Sequence, residues 1–343
     1  MNPLVTIGIA TYNRLHYLKE AVASALAQTY PDIEILISQN PYHDEAVTRS
    51  IAEWCREMVA QHPRIRYRCN PRNLGSPANF NAIGDAAAGE YLGFIGDDDR
   101  LEPQFTATML AAIQSGYELA FCNHYRMDKD GRRLVPESYQ WTKGFRRDRL
   151  AAGEVDARMV AWQRTPFFFA CLMRTRDFRR IRFVETIGTP DSLFFIHLAE
   201  QGARFTFVPE YLTEIRVHDA TATAAGLRIE QWVPYLLPIP VPVEFEPHKR
   251  ALVSPLILRA VSRHLVDGEL AAARGYTRSE YYPRRHHKAL FQRLCLRLPE
   301  PVGYRLFRAV YLTKRRGEYR TSRGAHEFSL FPPSGTDSAP PRT

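Results

Sequence analysis

Three consecutive aspartates, Asp97-Asp98-Asp99, follow an apolar run at 91–95. Adjacent carboxylates repel one another. A hard divalent cation, which takes carboxylate oxygens, keeps its waters and bridges to a diphosphate, would relieve that repulsion. The same residues also read as an acidic turn capping a helix that opens near Pro103. One cap does not need three aspartates, which favours the cation. Three further polar sets follow apolar runs: Thr11-Tyr12-Asn13-Arg14, Gln39-Asn40, and the stretch 70–75. Asp191 follows a Gly-Thr-Pro turn and taken alone reads as a helix N-cap.

The elements that must position these groups are legible from spacing. Runs at 4–10, 32–38, 64–69 and 91–95 read as strands, and segments 15–27, 45–59 and 77–88 carry apolar residues at helical spacing. Pro103 opens the next helix, at a position where proline is tolerated. Strands alternating with helices predict a mostly parallel sheet covered on both faces. Ligands bind beyond the carboxyl ends of such strands, which is where every polar set falls. Strands are also expected at 119–123, 167–173 and 205–208, with a turn at Asp130-Gly131, a basic loop after it, and an amphipathic helix over 191–202. The expected organisation is an α/β domain over 1–230, a Pro-rich linker over 231–248, a basic helical region over 249–325 and a Pro/Ser-rich disordered tail over 326–343.

With 343 residues, 45% hydrophobic and 24% charged, the chain is globular in composition, which excludes collagen-like and largely disordered classes. No apolar stretch reaches the roughly 18–20 residues of a spanning helix. The longest, 232–245, is broken by Pro234, Pro238, Pro240 and Pro242. No basic region precedes the first strand, so a signal peptide is not expected. Five scattered cysteines without a CxxC pair argue against a zinc site or disulfide framework and suit a reducing cytosol. The net charge of +9 is uneven: residues 1–246 carry 27 Lys/Arg against 30 Asp/Glu, and residues 247–325 carry 18 against 5. The basic character therefore belongs to the C-terminal third and points to a separate surface role there.

Several spaced motifs occur in order: Ile9-Ala10-Thr11-Tyr12-Asn13-Arg14, EILIS at 34–38, Asn73-Leu74-Gly75 with Asn79 and Asn81, and GEYLGFIGDDDRLEP at 89–103. Downstream stand Pro190-Asp191, LFFIHLAEQGARFTFVPE at 193–210, and Arg216-Val217-His218. Together, over roughly 3–220, they resemble glycosyltransferase family 2, whose members are inverting enzymes with the GT-A fold. The resemblance implies an α/β, Rossmann-like GT-A sheet flanked by helices, here with a basic helical C-terminal extension. It implies that Thr11 and Tyr12 line the nucleotide pocket, that Arg14 lies near the phosphates, and that Asp97 touches the ribose. Asp98 would hold Mn²⁺ or Mg²⁺ with Asp99 assisting, and His218 would contact the metal or the diphosphate. Asn73 and Gly75 would shape the pocket floor, and Asp191 would be the catalytic base. The reaction implied is transfer of a sugar from a UDP-, dTDP- or GDP-linked donor to a hydroxyl of a glycan or lipid-linked acceptor. Bacterial surface polysaccharide synthesis (lipopolysaccharide, O-antigen or capsule) at the cytoplasmic side of the cell envelope is the implied setting.

The chemistry agrees: such transfer needs a carboxylate to take the acceptor proton and a cation to meet the charge on the leaving diphosphate. Four positions depart from the family pattern. The usual acidic pair that reads the base is replaced by Gln39-Asn40, whose amides both donate and accept, with Asp44 as a further acidic position. Gly96 stands where the metal motif begins with Asp, and Pro190 stands where Glu often precedes the base. These departures also suit a rival reading, a decayed relative that binds nucleotide-sugar or glycan without turnover. A nucleotidyltransferase would carry a Gly-rich phosphate loop near its N-terminus, and 9–14 is not one.

In the C-terminal third, 302–316 places Leu306, Phe307, Val310 and Tyr311 near one face among Arg305, Arg308, Lys314, Arg315 and Arg316. A basic amphipathic helix of this kind lies on an anionic membrane surface or packs as an ordinary helix with solvated charges; a peripheral contact through 300–316 is the first of these readings. No nucleic-acid motif accompanies the charge, and nucleic acid is not an expected partner.

Overall fold

Continuous apolar runs set the centre of the sheet. In the computed structural model, which describes residues 2–217 and 228–321 (side chains to 311), Val5–Thr11 forms β1, Ile33–Gln39 β2, Ile65–Cys69 β3 and Tyr91–Gly96 β4. These four pair in parallel in the order β3-β2-β1-β4. β2 and β4 are buried along their whole length, as strands covered on both faces must be. The connecting helices are α1 (Leu15–Leu26), α2 (Glu45–Gln61) and α3 (Ser76–Ala86). α1 buries Leu18, Ala21, Val22 and Ala25, one face at helical spacing. Register aligns the strand ends: Thr11 lies opposite Gln39, Gln39 opposite Cys69, and Ala10 opposite Gly96. The polar sets that follow each strand are thereby gathered on one edge of the sheet.

The sheet continues through β5 (Arg100–Leu101), β6 (Leu119–Met127), β7 (Gly153–Val155), β8 (Cys171–Arg174) and β9 (Phe205–Arg216). β8 runs antiparallel between β4 and β6, β9 runs parallel to β6, and the short β5 and β7 pair antiparallel with β9. The parallel pairing of the first four strands thus gives way to a mixed half. Around it lie α4 (Phe105–Ile113), α5 (Val135–Gly144), α6 (Ala157–Trp162), α7 (Thr175–Ile181), α8 (Asp191–Glu200) and α9 (Val233–Leu236).

Three local expectations change. Of the aromatic run at 167–173, only its end is strand. Phe168–Ala170 makes a 3-10 turn whose Phe168 ring packs 4.7 Å from Phe94 and 4.7 Å from Phe183. Apolar runs of this length do not distinguish strand from other core structure. The stretch expected as a basic loop after Asp130-Gly131 contains α5, opened by Pro136 in its first turn. The stretch expected as a linker is packed: Trp232, Val233 and Leu236 are buried, and the buried Lys249 ammonium donates to the carbonyls of Leu237 and Ile239.

The chain divides into two compact units, Met1–Lys249 and Arg250–Thr343. The second is helical, drawn from α10 (Glu246–Asp267), α11 (Leu270–Thr277), α12 (His287–Arg297) and α13 (Glu300–Thr321). Its buried residues include Val253, Ile257, Val261, Leu265, Ala273, Tyr282, Ala289 and Cys295. Among the described residues, no helix is long and apolar enough to cross a membrane.

Candidate active site

The carboxyl end of β4 turns sharply through Asp97-Asp98-Asp99, and all three residues are buried. Asp97 accepts a hydrogen bond from the Thr11 hydroxyl at 2.8 Å and is paired with the Arg14 guanidinium. Arg14 also donates to Asp98 at 2.6 Å, so one guanidinium bridges two carboxylates. Behind them Asp99 accepts from the Arg216 backbone N–H at 2.8 Å. The Arg216 side chain donates to the Asp98 carbonyl at 2.7 Å and to Glu20 at 2.6 Å, with its guanidinium 4.3 Å from the Tyr17 ring centre. β9 therefore braces the acidic turn from the rear. The position of Gly96 follows from the same turn: a Cβ there would lie 2.5 Å from one Asp99 oxygen and 2.8 Å from an Asp98 oxygen. The residue is glycine because the aspartates fold back over it.

Burial and mutual repulsion both oppose charge on this turn. Burial, opposed by Arg14, pushes Asp97 up to about 6, and burial with the Asp98 charge holds Asp99 well above the usual carboxylate range. Against burial, which lowers it, the Asp97 and Asp98 charges hold Arg14 above its ordinary value. Among the described residues no three His, Cys, Asp or Glu side chains are arranged to hold a metal ion. His218 lies outside the described residues. Asp98 and Asp99 nonetheless fit a hard cation: they are hard oxygen donors set side by side in a buried turn, where a cation would relieve their mutual repulsion.

A second group forms the floor beside it. The Gln39 amide donates to the Thr48 carbonyl at 3.0 Å and accepts from the Tyr67 hydroxyl. Asn40 donates to the Gly75 carbonyl at 3.2 Å and accepts from Asn70 at 2.9 Å and from the Leu74 N–H at 3.3 Å. Both amides are buried, and each gives one N–H and its carbonyl oxygen to the protein. Asp44 caps α2 by accepting from the Ala46 N–H. Asn73 accepts from the Gly75 N–H at 2.9 Å, and Gly75 holds φ +80° to start α3, a conformation costly for residues with a Cβ. The buried Asn70 opens the polar stretch 70–75 that its place after β3 marked from sequence, and among the described residues its Oδ1 has no partner. At the rim Tyr12 and Tyr42 meet edge to face at 4.9 Å.

Asp191 begins α8 and is half-buried. Burial raises its pKa, against the opposing charge of Arg164 and the N–H groups of Ser192 and Asp191 itself. Two residues missed from sequence hold its surroundings. The Trp232 indole donates to the Thr189 carbonyl at 2.8 Å, two residues before the carboxylate, and the Arg164 guanidinium lies 5.0 Å from the Trp232 ring centre. Arg164 itself adopts φ +60°, and the next residue is fixed by the buried Arg147, which donates to the Thr165 carbonyl at 2.9 Å. Nothing in local sequence marks these partners, because 68 residues separate Arg164 from Trp232.

The family described as "Glycosyl transferase family 2" matches residues 6–172. A chondroitin synthase of Escherichia coli is 29% identical over 183 residues, 51% of this chain and 26% of that protein. An uncharacterized glycosyltransferase of Methanocaldococcus jannaschii is 26% identical over 63% of this chain and 71% of that protein. The chain spans about a quarter of the first relative's length. Among solved structures, S. aureus TarS 1–349 in complex with UDP-GlcNAc superposes with a TM-score of 0.62 at 16% identity, covering 92% of each chain. Mannosyltransferase PcManGT from Pyrobaculum calidifontis, in complex with GDP-Man and Mn²⁺, gives 0.54 at 16% identity over 94% of this chain and 88% of that one. These likenesses establish a shared fold.

Proposed function

We propose that this chain, a glycosyltransferase family 2 protein whose family domain covers residues 6–172, transfers a sugar from a nucleoside-diphosphate donor to an acceptor hydroxyl with inversion at the anomeric carbon. The observation that carries this reading is the buried acidic turn of Asp97, Asp98 and Asp99, set at the carboxyl edge of four parallel strands with Thr11 and Arg14 on it. That edge is where an open α/β sheet binds ligands. The neighbours' UDP-GlcNAc and GDP-Man support a nucleotide-sugar donor, and the chondroitin synthase relative supports a glycan acceptor.

In this reading Asp191 accepts the proton of the attacking hydroxyl, which its raised pKa favours. The hydroxyl oxygen bonds to the anomeric carbon from the face opposite the donor oxygen, and the nucleoside diphosphate departs with the electron pair of the broken bond. Thr11 and Asp97 hold the nucleoside side of the donor, and Tyr12 with Tyr42 offers an aromatic wall to the base. Arg14, released from its bridge, pairs with the diphosphate. Asp98, with Asp99 and His218 as further candidates, would hold Mn²⁺ or Mg²⁺, which would supply charge compensation to the leaving diphosphate. The acceptor we assign is a hydroxyl of a bacterial surface glycan, free or lipid-linked, met on the cytoplasmic side.

The test is a thermal-shift screen of UDP-, dTDP- and GDP-sugars with Mn²⁺, followed by nucleotide release from the donor that binds. Binding with release that Asp191→Asn abolishes is expected. Binding without release under any acceptor would replace this reading with a non-catalytic binding protein.

A further inference from the structure

We infer that the outer face of the α12–α13 hairpin is a docking surface for an anionic lipid bilayer. The inner faces are settled by contacts. The Phe291 and Phe307 rings stack 5.7 Å apart, and Gly303 lies so close to Cys295 that a Cβ would sit 2.0 Å from its carbonyl oxygen. On the core side Gln292 donates to the Leu258 carbonyl and the Ser262 hydroxyl, both at 2.8 Å, and Tyr304 approaches Gly268.

Opposite the core the helices leave aliphatic side chains in water. Leu290 and Leu294 on α12 are 54% and 53% exposed, and Val302, Leu306 and Val310 on α13 are 52%, 37% and 46% exposed. Their spacings of four residues make a stripe on each helix. Turning about α12 from Gln292 past the seam at Phe291 leads to Leu294 and Leu290. Turning about α13 from Tyr304 past Phe307 leads to Val310, Leu306 and Val302. Because the helices pack antiparallel, both turns arrive on the same side, and the two stripes form one apolar face. Sequence placed this contact on 300–316 alone; the packing adds α12.

Charge selects the occupant. Residues 284–311 carry Arg284, Arg285, Lys288, Arg293, Arg297, Arg305 and Arg308 against a single acid, Glu300. Arg297 and Arg305 are exposed beside the stripe. A second copy would bring the same positive charge against itself, whereas a bilayer of anionic lipid offers negative headgroups and an apolar interior to one surface. The inference is independent of the donor chemistry.

Flotation of the full-length protein with phosphatidylglycerol/phosphatidylcholine vesicles, against phosphatidylcholine alone, tests it. Binding to the anionic vesicles is expected, falling at least about tenfold from low to high salt because the attraction is screened. The Leu294→Asp/Leu306→Asp variant is expected to lose binding while keeping its melting temperature and donor turnover. Should that variant not fold, Arg297→Gln/Arg305→Gln, which leaves the apolar stripe in place, is expected to weaken binding severalfold. No binding of the wild type to anionic vesicles overturns the inference. So does equal binding to neutral vesicles, or a wild-type dimer in sedimentation that Leu294→Asp/Leu306→Asp dissolves.

Discussion

Replacing Gly96 with alanine places a methyl group 2.5 Å from an Asp99 oxygen and 2.8 Å from an Asp98 oxygen. Neither carboxylate is free to retreat. Asp99 is tied to the Arg216 N–H at 2.8 Å, and Asp98 to the Arg14 guanidinium at 2.6 Å. Overpacking a fixed site costs typically about 1–3 kcal/mol. For a unit of this size each kcal/mol lowers the melting temperature by roughly 2–4 °C, so a fall of about 2–12 °C is expected. The larger consequence is chemical: the strain is relieved by rotating Asp98 or Asp99, which disperses the oxygens proposed to meet a cation. Differential scanning fluorimetry with and without Mn²⁺, paired with donor turnover, reads both effects. The Mn²⁺-dependent shift is expected to vanish in Gly96→Ala. Gly96→Asp restores the residue common in the family and is nevertheless expected to be worse, since it adds a charge to the same clash. A Gly96→Ala protein that melts with the wild type and keeps its Mn²⁺ response would refute the reasoning, as would a Gly96→Asp protein of higher activity.

Other expectations follow from the same geometry. Asp191→Asn is expected to lower turnover by about 10²–10⁴-fold, the range for loss of a positioned base, with donor binding by thermal shift retained. Trp232→Phe removes the hydrogen bond to the Thr189 carbonyl, worth about 1 kcal/mol, and is expected to reduce kcat more than it raises the donor KM. Asp97 is pushed up to about 6, so its folded form takes protons before its unfolded form does. Its contribution to metal-free stability is therefore present below the ordinary carboxylate pKa and is lost as pH rises through about 6. Melting curves of wild type and Asp97→Asn across pH 4–8 are expected to converge at low pH, to separate as pH rises to about 6, and to keep a constant difference above it, with the variant the more stable. Protons compete with metal on the same turn, so Mn²⁺ affinity measured by calorimetry is expected to rise with pH through that range.

Much of the N-terminal half was legible because strand spacing and register obey local rules. The runs ending near Thr11, Gln39, Cys69 and Gly96 are all strands, and pairing in register delivers their following residues to one edge. The antiparallel insertion of β8 was not legible, since pairing direction depends on where the chain returns after α6 rather than on the composition of 167–173. The amides were legible as groups that donate and accept, but their partners within the protein were not: Gln39 meets Thr48 and Tyr67, and Asn40 meets Asn70, Leu74 and Gly75. A proline-rich stretch read as a linker is core, because proline limits the backbone while its neighbours Trp232 and Leu236 still seek burial.

By itself the sequence determined the alternation of strand and helix, the acidic turn, and the concentration of positive charge in the C-terminal third, for each depends on residues close together in the chain. Tertiary structure alone decided why position 96 is glycine, that Arg216 braces the turn from 118 residues away, that Trp232 and Arg164 hold the surroundings of Asp191, and that two exposed stripes share one side of a hairpin. These are contacts between segments whose meeting depends on the packing of the whole unit, and a buried charge or a steric limit takes its energy from whatever that packing brings within a few ångströms.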